Sequence, residues 1–68
     1  MKLKVNGSER ALPDGTTVAG LVSIEDLPGS GGGVAVAVDA EVIPRTAWED
    51  TKLSEGQRVE LLAAIQGG

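Results

Sequence analysis

The 68-residue chain contains no cysteine, no histidine and a single aromatic residue, Trp48. Without cysteine or histidine it lacks the usual ligands of zinc, haem and iron–sulfur centres, and the bases and thiols of most nucleophilic catalysis. No disulfide can stabilise such a chain, and one aromatic residue cannot form a platform for stacking nucleic-acid bases. We therefore expect this chain to bind no metal or cofactor and to have no catalytic residues of its own.

Charge and hydropathy argue against two further classes of partner. Ten Asp and Glu residues outnumber six Lys and Arg residues, which gives a formal net charge of −4. Nucleic-acid-binding proteins normally present a basic surface, so we expect no nucleic-acid partner. No apolar run approaches the ~20 residues of a membrane span, and residues 1–7 lack the apolar stretch of a secretory signal. These features predict no membrane association and a cytoplasmic protein.

The first half of the chain has the pattern of a β-hairpin followed by a helix. Apolar and polar residues alternate over residues 1–5, and Asn6-Gly7 favours a tight hairpin turn into a second strand at 9–12. Thr16 is expected to cap the helix by accepting a hydrogen bond from an amide of its first turn. The helix, which is expected to end between residues 23 and 26, has apolar residues at helical spacing: Val18, Leu21 and Val22.

Glycine occupies two places that need an explanation. Gly20 lies inside the predicted helix, where glycine is unfavourable, and a close approach of the helix to a sheet would account for it. Residues 29–33 contain four glycines. A phosphate-binding P-loop continues with Lys and then Ser or Thr, whereas Val34-Ala35 follows here. We therefore interpret residues 29–33 as a connecting loop.

The second half of the chain has the pattern of a sheet. Its strands are expected at residues 34–38, 42–43 and 59–65. Residues 45–58 are expected to be irregular, with Trp48 and Leu53 as anchors. The order β-β-α-β-β-β predicts an α+β fold, the ubiquitin-like β-grasp, with a mixed sheet of four to five strands and one main helix on one face. The first and last strands are expected to pair in its centre, in a single domain of residues 1–65.

The polar residues show no catalytic arrangement. Glu25-Asp26 and Glu49-Asp50 are adjacent carboxylates, but acid–base catalysis needs one carboxyl in an apolar pocket that raises its pKa. We interpret both pairs as solvated surface charge. Thr16 and Thr17 have no neighbouring base that could make either of them a nucleophile.

Residues 66–68 are expected to form a flexible tail that ends in two glycines, Gly67 and Gly68. Because glycine has no Cβ, such a tail can enter a slot too narrow for any side chain and leaves its carboxylate unhindered. A carboxylate is inert at neutral pH, and it becomes reactive only when another enzyme converts it to a mixed anhydride. Taken alone, the two glycines could equally be a frayed end or a cloning scar.

Blocks of sequence along the whole chain form a recognisable set, at residues 1–7, 17–22, 34–39, 42–45, 48, 53–56 and 59–68. The spacing of Pro44-Arg45 and Trp48, and the ending Gln66-Gly67-Gly68, are the most specific of these features. With these blocks the chain resembles the ThiS family of sulfur carriers, which act in the synthesis of the thiamine thiazole. It departs from the family at residues 24–33, which are longer and richer in glycine, and at Gln57, where an acidic residue is common.

The resemblance implies a protein cosubstrate rather than an enzyme. An E1-like adenylating enzyme of the ThiF type would use ATP and magnesium to form an acyl-adenylate at the Gly68 carboxylate. A sulfur donor protein with a persulfide would then convert it to a thiocarboxylate, which would donate sulfur to a thiazole synthase of the ThiG type. Gly68 would carry the sulfur, and Gly67 would be the narrow neck of the tail.

Strand periodicity predicts an apolar docking surface beside the tail. If alternate residues of the last strand face the helix, Leu62 and Ala64 face solvent, and the same argument places Ala35 and Ala37 outside. A register shift of one residue would invert this assignment. The predicted partner surface consists of Leu62, Ala64, Ala35, Ala37 and Gln66.

Three other kinds of protein fit the same features. A carrier for molybdopterin or another sulfur acceptor would use the same tail chemistry. A ubiquitin-like modifier would instead be joined to lysine side chains through Gly68. A plain binding module would keep its activity without Gly67 and Gly68.

Overall fold

The described residues fold into the predicted order of strands around one α-helix. The computed structural model describes residues 1–25 and 33–63, and all structural statements concern these residues. Its elements are β1 (Lys2–Val5), β2 (Ser8–Ala11), α1 (Val18–Ile24), β3 (Val34–Val38), β4 (Glu41–Ile43), a 3-10 helix (Arg45–Ala47) and β5 (Arg58–Ala63).

Within the described residues, the five strands form one mixed sheet in the order β2-β1-β5-β3-β4. β1 is antiparallel to β2, and β3 is antiparallel to both β4 and β5. β1 and β5 are parallel neighbours, with Lys4 opposite Arg58 and Val5 opposite Val59. The prediction that the first and last strands pair in the centre of a mixed sheet is therefore confirmed.

The hairpin turn has the backbone that its sequence predicts. Asn6 and Gly7 both adopt positive φ angles, of 50° and 83°. A two-residue turn of this kind matches the right-handed twist of the flanking strands, and Asn-Gly is the dipeptide that adopts it most readily. The second strand begins at Ser8, one residue earlier than expected.

The core lies between α1 and the inner face of the sheet. Val59 and Leu61 of β5 are buried. Glu60, which lies between them, and Leu62, which follows them, are exposed, so this strand follows the predicted alternation. The connecting segments add Leu12 and Leu53, and the remaining buried apolar residues are Leu3, Val5, Val18, Leu21, Val36 and Val38. Full burial of a Leu or Val side chain contributes roughly 1.5–3 kcal/mol, which makes this small layer the main source of stability.

The helix begins one residue later than predicted. Its N-cap is Thr17, whose Oγ1 accepts a hydrogen bond from the Gly20 amide at 3.1 Å. The Thr16 hydroxyl donates instead to the Pro13 carbonyl at 2.7 Å. The prediction of Thr16 as the cap was wrong because adjacent threonines have the same chemistry, and the path of the preceding turn decides which of them reaches the helix. The helix ends at Ile24, within the predicted limits.

The segment after β4 covers the beginning of α1. The amides of Val18 and Ala19 donate to the carbonyls of Thr51 and Trp48, at 2.9 and 3.1 Å. The Leu53 amide donates to the Thr16 carbonyl at 2.9 Å. The first two bonds satisfy helix amides that have no acceptor within the helix itself. The expectation of an irregular segment is refined by the 3-10 helix at Arg45–Ala47.

Trp48 anchors this segment to β4. Its indole N–H donates to the Ile43 carbonyl at 2.9 Å, and its ring packs against the core. The Arg45 guanidinium lies 5.8 Å from the ring centroid, within reach of a cation–π interaction. The specific spacing of Pro44-Arg45 and Trp48 is therefore explained by the structure of the segment, and the predicted anchors Trp48 and Leu53 are confirmed.

Gln57, where the sequence departs from the family pattern, closes the turn before β5. Its side-chain Oε1 accepts a hydrogen bond from the Ser54 amide at 2.7 Å, and its backbone carbonyl accepts one from Lys4 at 2.9 Å. The carboxylate oxygen of an acidic residue could accept the same amide. The departure therefore leaves the turn intact.

Three expectations fall on parts of the chain that the structure does not describe. They are most of the glycine-rich loop, the domain boundary after residue 65, and the tail at residues 66–68. Their assignment stays a prediction. In the described residues, no helix is long and apolar enough to cross a membrane.

The explanation offered for Gly20 was wrong. Among the described residues, a Cβ built on this glycine would meet only Thr16 Cγ2 and Thr17 Oγ1, each at 3.6 Å, which is ordinary van der Waals contact. No sheet residue of this part of the chain lies close enough to exclude a methyl group. The glycine therefore costs helix stability without a packing reason.

We predict that Gly20→Ala raises the free energy of unfolding by about 0.5–1 kcal/mol, because alanine loses less backbone entropy in a helix. The melting temperature should rise by roughly 2–8 °C. Urea denaturation followed by circular dichroism would measure the difference. The matched control is Gly56→Ala, at a φ of +80° with open space around it, which should lose stability. A less stable Gly20→Ala variant would contradict the contact geometry.

A pair of leucine substitutions tests the register of β5. Leu61→Ala should cost about 2–5 kcal/mol of unfolding free energy, because this side chain is 2% exposed and its removal leaves a cavity. Leu62→Ala, one residue along, should change stability by no more than about 0.5 kcal/mol. Urea midpoints of the two variants give the comparison. Similar losses in both would mean that the strand is shifted.

Candidate functional site

The face of the sheet that points away from α1 carries a group of exposed apolar residues. Leu62 of β5 lies opposite Ala35 of β3, and Ala37 of β3 lies opposite Val42 of β4. Leu62 is 65% exposed and Val42 is 72% exposed. We call these four residues the outer apolar patch.

The structure brings three of the predicted surface residues together. Leu62, Ala35 and Ala37 occupy neighbouring positions on two paired strands, with Ala35 exposed and Ala37 half-buried. Ala64 and Gln66 lie outside the described residues, as do Gly67 and Gly68. Whether this face binds a partner stays a prediction, because exposure alone is not binding.

Val42 belongs to the same patch, although the periodicity argument did not include it. It is one of two adjacent apolar residues in a three-residue strand, Glu41–Ile43. Because neighbours on a strand point to opposite faces, one of Val42 and Ile43 must face outwards. Ile43 is half-buried and packs against the core, so Val42 faces solvent. This signal was present in the sequence, but only the pairing with β3 shows where the exposed side chain lies.

Charged residues border the patch on the side of β1. Glu60 lies opposite Ala37, and next to it along β5 Arg58 lies opposite Lys4 of β1. Lys4 also lies opposite Glu9 of β2. Charges of both signs at the edge of an apolar surface fix the orientation of a partner and exclude others more than they add affinity. The outer face thus combines an apolar centre with a charged border, the usual composition of a docking surface.

One of the carboxylates expected to be solvated is not. Glu25 caps the end of α1 and forms an ion pair with Arg10 of β2, and both side chains are partly shielded from solvent. The interpretation of Glu25 as free surface charge was wrong, because the helix end lies over the edge strand. Glu49 and Asp50 are exposed as expected.

Groups that could perform chemistry are scattered over the described part of the chain. Within residues 1–25 and 33–63, no three Asp or Glu residues lie close enough together to hold a metal ion. The shallow grooves of the surface are open and lined by mixed charges, such as the one between Lys2, Lys4, Glu9 and Arg58.

Strand β5 links the outer apolar patch to the C-terminal residues. It is paired on both sides, with β1 and with β3, and its pairing with β3 continues to Ala63. Asn6, in the hairpin turn, adds two side-chain hydrogen bonds to Leu61, at 2.8 and 3.2 Å. Sequence reasoning assigned Asn6 only to the turn, since nothing in a linear pattern reveals a contact 55 residues away.

Comparison with solved structures confirms the fold. A crystal structure of the thiamine biosynthesis protein ThiS from Geobacter metallireducens superposes with a TM-score of 0.82 at 30% identity, and both chains are covered completely. An NMR structure of a thiamine biosynthesis protein from the same organism superposes with a TM-score of 0.76 at 30% identity, covering all of this chain and 88% of that one. The five-stranded sheet with one helix is the predicted ubiquitin-like β-grasp.

Sequence comparison agrees. The chain is 32% identical over 68 residues to a thiazole synthase from Paramagnetospirillum magneticum, and it spans 20% of the length of that protein. A sequence profile of the ThiS family matches residues 3–68, almost the entire chain. The predicted resemblance is therefore confirmed, and the chain belongs to the ThiS family, the small sulfur carrier proteins of thiamine biosynthesis.

Proposed function

We propose that this protein carries sulfur as a thiocarboxylate on Gly68 and delivers it for the formation of the thiamine thiazole. The observation that carries the proposal is the extent of the family match, which runs to residue 68 and so includes Gln66-Gly67-Gly68. The outer apolar patch supports it, because Leu62 lies on the strand that leads to these residues. The folded domain would be the part of the protein that the partner enzymes bind.

The proposed chemistry takes place on the Gly68 carboxylate. An E1-like adenylating enzyme of the ThiF type joins the carboxylate to the α-phosphate of ATP and releases pyrophosphate. A persulfide on a sulfur donor protein then attacks the acyl carbon and expels AMP, which forms an acyl disulfide. A thiol reduces that disulfide, becoming oxidised itself, and leaves the thiocarboxylate. ATP and magnesium belong to the partner in this scheme.

Two features of the chain support the choice of partners. The outer apolar patch with its charged border gives an adenylating enzyme a surface to recognise beside the reactive end. A region similar to this whole chain makes up one fifth of a protein named thiazole synthase, which suggests that carrier and synthase act together in that relative. A thiazole synthase of the ThiG type is therefore the proposed acceptor. Because the adenylation consumes ATP, we place the reaction in the cytoplasm.

The alternatives share the tail but differ in the product. A carrier for molybdopterin or another acceptor would also form a thiocarboxylate, and would pass its sulfur to a different enzyme. A ubiquitin-like modifier would form isopeptide bonds to lysine and no thiocarboxylate. The family match favours the thiamine pathway over both.

We predict that incubation with a ThiF-type enzyme, ATP and a sulfur donor changes the intact mass by the exchange of one oxygen for one sulfur. Deletion of Gly68 should abolish the exchange, and Gly67→Val should block it because a side chain would obstruct a narrow slot. Both variants should melt like the wild type, since every buried core residue in the described part of the chain lies between Leu3 and Leu61.

Mass spectrometry distinguishes the outcomes of this experiment. A mass change at a residue other than Gly68 would contradict the proposal. Conjugates with lysine-bearing proteins, formed without thiocarboxylate, would support the modifier instead. Normal reaction of Gly67→Val would show that the neck need not be narrow.

The outer apolar patch can be tested separately from the chemistry. We predict that Leu62→Asp and Val42→Asp each raise the KM for the carrier in the adenylation reaction by about tenfold or more, because a charge would be buried in an apolar contact. Ile24→Asp is the matched control, because Ile24 is 55% exposed and lies on α1, away from the patch. This substitution introduces the same charge. Equal effects in all three variants would argue against a patch-specific contact.

A further inference from the structure

The side chain of Asn6 replaces a missing strand residue beside β5. The backbone pairing of β1 with β5 ends at Val5 and Val59. Asn6 still donates its amide to the Val59 carbonyl at 2.9 Å. At this residue the positive φ of 50° turns the chain away into the hairpin. Its carboxamide then continues the ladder, because Oδ1 accepts the Leu61 amide at 2.8 Å and Nδ2 donates to the Leu61 carbonyl at 3.2 Å.

These two hydrogen bonds satisfy both backbone groups of Leu61 on the side of β1. A strand residue directs its N–H and C=O to the same neighbour, and both need a partner when they are shielded from water. A side-chain amide has the same donor and acceptor as a peptide group, so it can serve as one. Asn6 therefore extends the contact of β1 with β5 by two residues beyond Val59. We call these two hydrogen bonds the grip of Asn6 on Leu61.

The two hydrogen bonds support β5 next to the outer apolar patch and just before the C-terminal residues. Leu62, the exposed leucine of the outer apolar patch, directly follows Leu61. On its other side this part of β5 is held by β3, through the pairing of Leu62 with Ala35 and of Ala63 with Val34. Asn6 thus completes the support of the last described residues before the chain continues towards Gly68.

We propose that Asn6 is a positioning residue for the adenylation reaction. By holding Leu61 it fixes the course of β5 up to the last described residues, and so limits the region in which the C-terminal carboxylate can meet the activating enzyme. The inference rests on the proposed function, since it concerns the same reaction. It adds that the hairpin turn, in the first tenth of the chain, affects the rate of chemistry at the last residue.

Asn is the residue that meets both demands of this position. The turn requires a positive φ, which Gly, Asn and Asp tolerate best. The Leu61 backbone requires one donor and one acceptor. Glycine meets the first demand only, and aspartate adds the acceptor but places a second oxygen against the Leu61 carbonyl. Asn6→Gly therefore removes both hydrogen bonds to Leu61, and Asn6→Asp removes the one to the Leu61 carbonyl, while both variants keep the turn.

Amide hydrogen exchange on the full chain tests the grip directly. In Asn6→Gly, exchange of the Leu61 amide should accelerate by about two- to tenfold more than that of Lys4, which bonds to the Gln57 carbonyl in the same β1–β5 pairing. Thr17→Ala is the matched control, because it removes a helix-capping bond of similar strength at a distance from β5. In this control the two amides should respond equally.

The kinetic test uses the ThiF-type enzyme with ATP and follows pyrophosphate release. For Asn6→Gly and Asn6→Asp we expect kcat to fall by about tenfold while KM changes by less than about twofold. The reason is that Ala35, Ala37 and Val42 of the outer apolar patch lie on β3 and β4, and that the pairing with Ala35 should hold Leu62 in place. Thr17→Ala should leave both constants near their wild-type values, which separates positioning from a general loss of stability.

The outcomes distinguish the positioning role of Asn6 from the proposed function on which it rests. Equal exchange of the Leu61 amide in wild type and Asn6→Gly would overturn the grip. Unchanged kcat in both Asn6 variants, or an equal loss in Thr17→Ala, would overturn the positioning role while wild-type adenylation still supports the proposed function. Failure of the wild-type chain to be adenylated would contradict the proposed function, and the exchange experiment would still test the grip.

Discussion

The parallel pairing of β1 with β5 is the constraint on which the rest of this structure depends. It places Val5 beside Val59 at the centre of the sheet, although 54 residues separate them along the chain. Contacts this distant in sequence are slow to form, and the entropy cost of closing the loop must be offset by burial of apolar surface. That burial comes here from α1, which packs across the two strands. Because β5 is central, every other strand is positioned relative to it, and so is the C-terminal end.

The two faces of the sheet have different roles. In a chain this short, the large apolar residues that the structure describes on the inner face are used to form the core rather than to line a deep pocket. The outer face is free for recognition, and it carries the outer apolar patch with its charged border. A carrier can function with such a surface alone, because the demanding chemistry is left to larger enzymes. The fold and the proposed role are therefore consistent with each other.

Much of the fold could be predicted because its signals are local. Asn6-Gly7 specifies its turn through backbone preference, and the alternation along β3 and β5 specifies which residues face the core. The errors arose where two local solutions were equally good or where the deciding neighbour was distant. Thr16 and Thr17 are equivalent as caps until the preceding turn is placed. Glu25 meets its partner Arg10 only after the helix has docked on β2.

The sequence by itself determined the order of elements, because turn residues and strand alternation are local signals. The resemblance of its blocks to the ThiS family indicated the family, and with it the proposed sulfur-carrying residue Gly68. Only the tertiary structure decided how the outer apolar patch is assembled, since Val42, Ala37, Ala35 and Leu62 come from three strands whose register must be known. The second role of Asn6 is of the same kind. A side-chain amide can substitute for a peptide group only where the fold brings an unpaired strand edge within hydrogen-bonding distance.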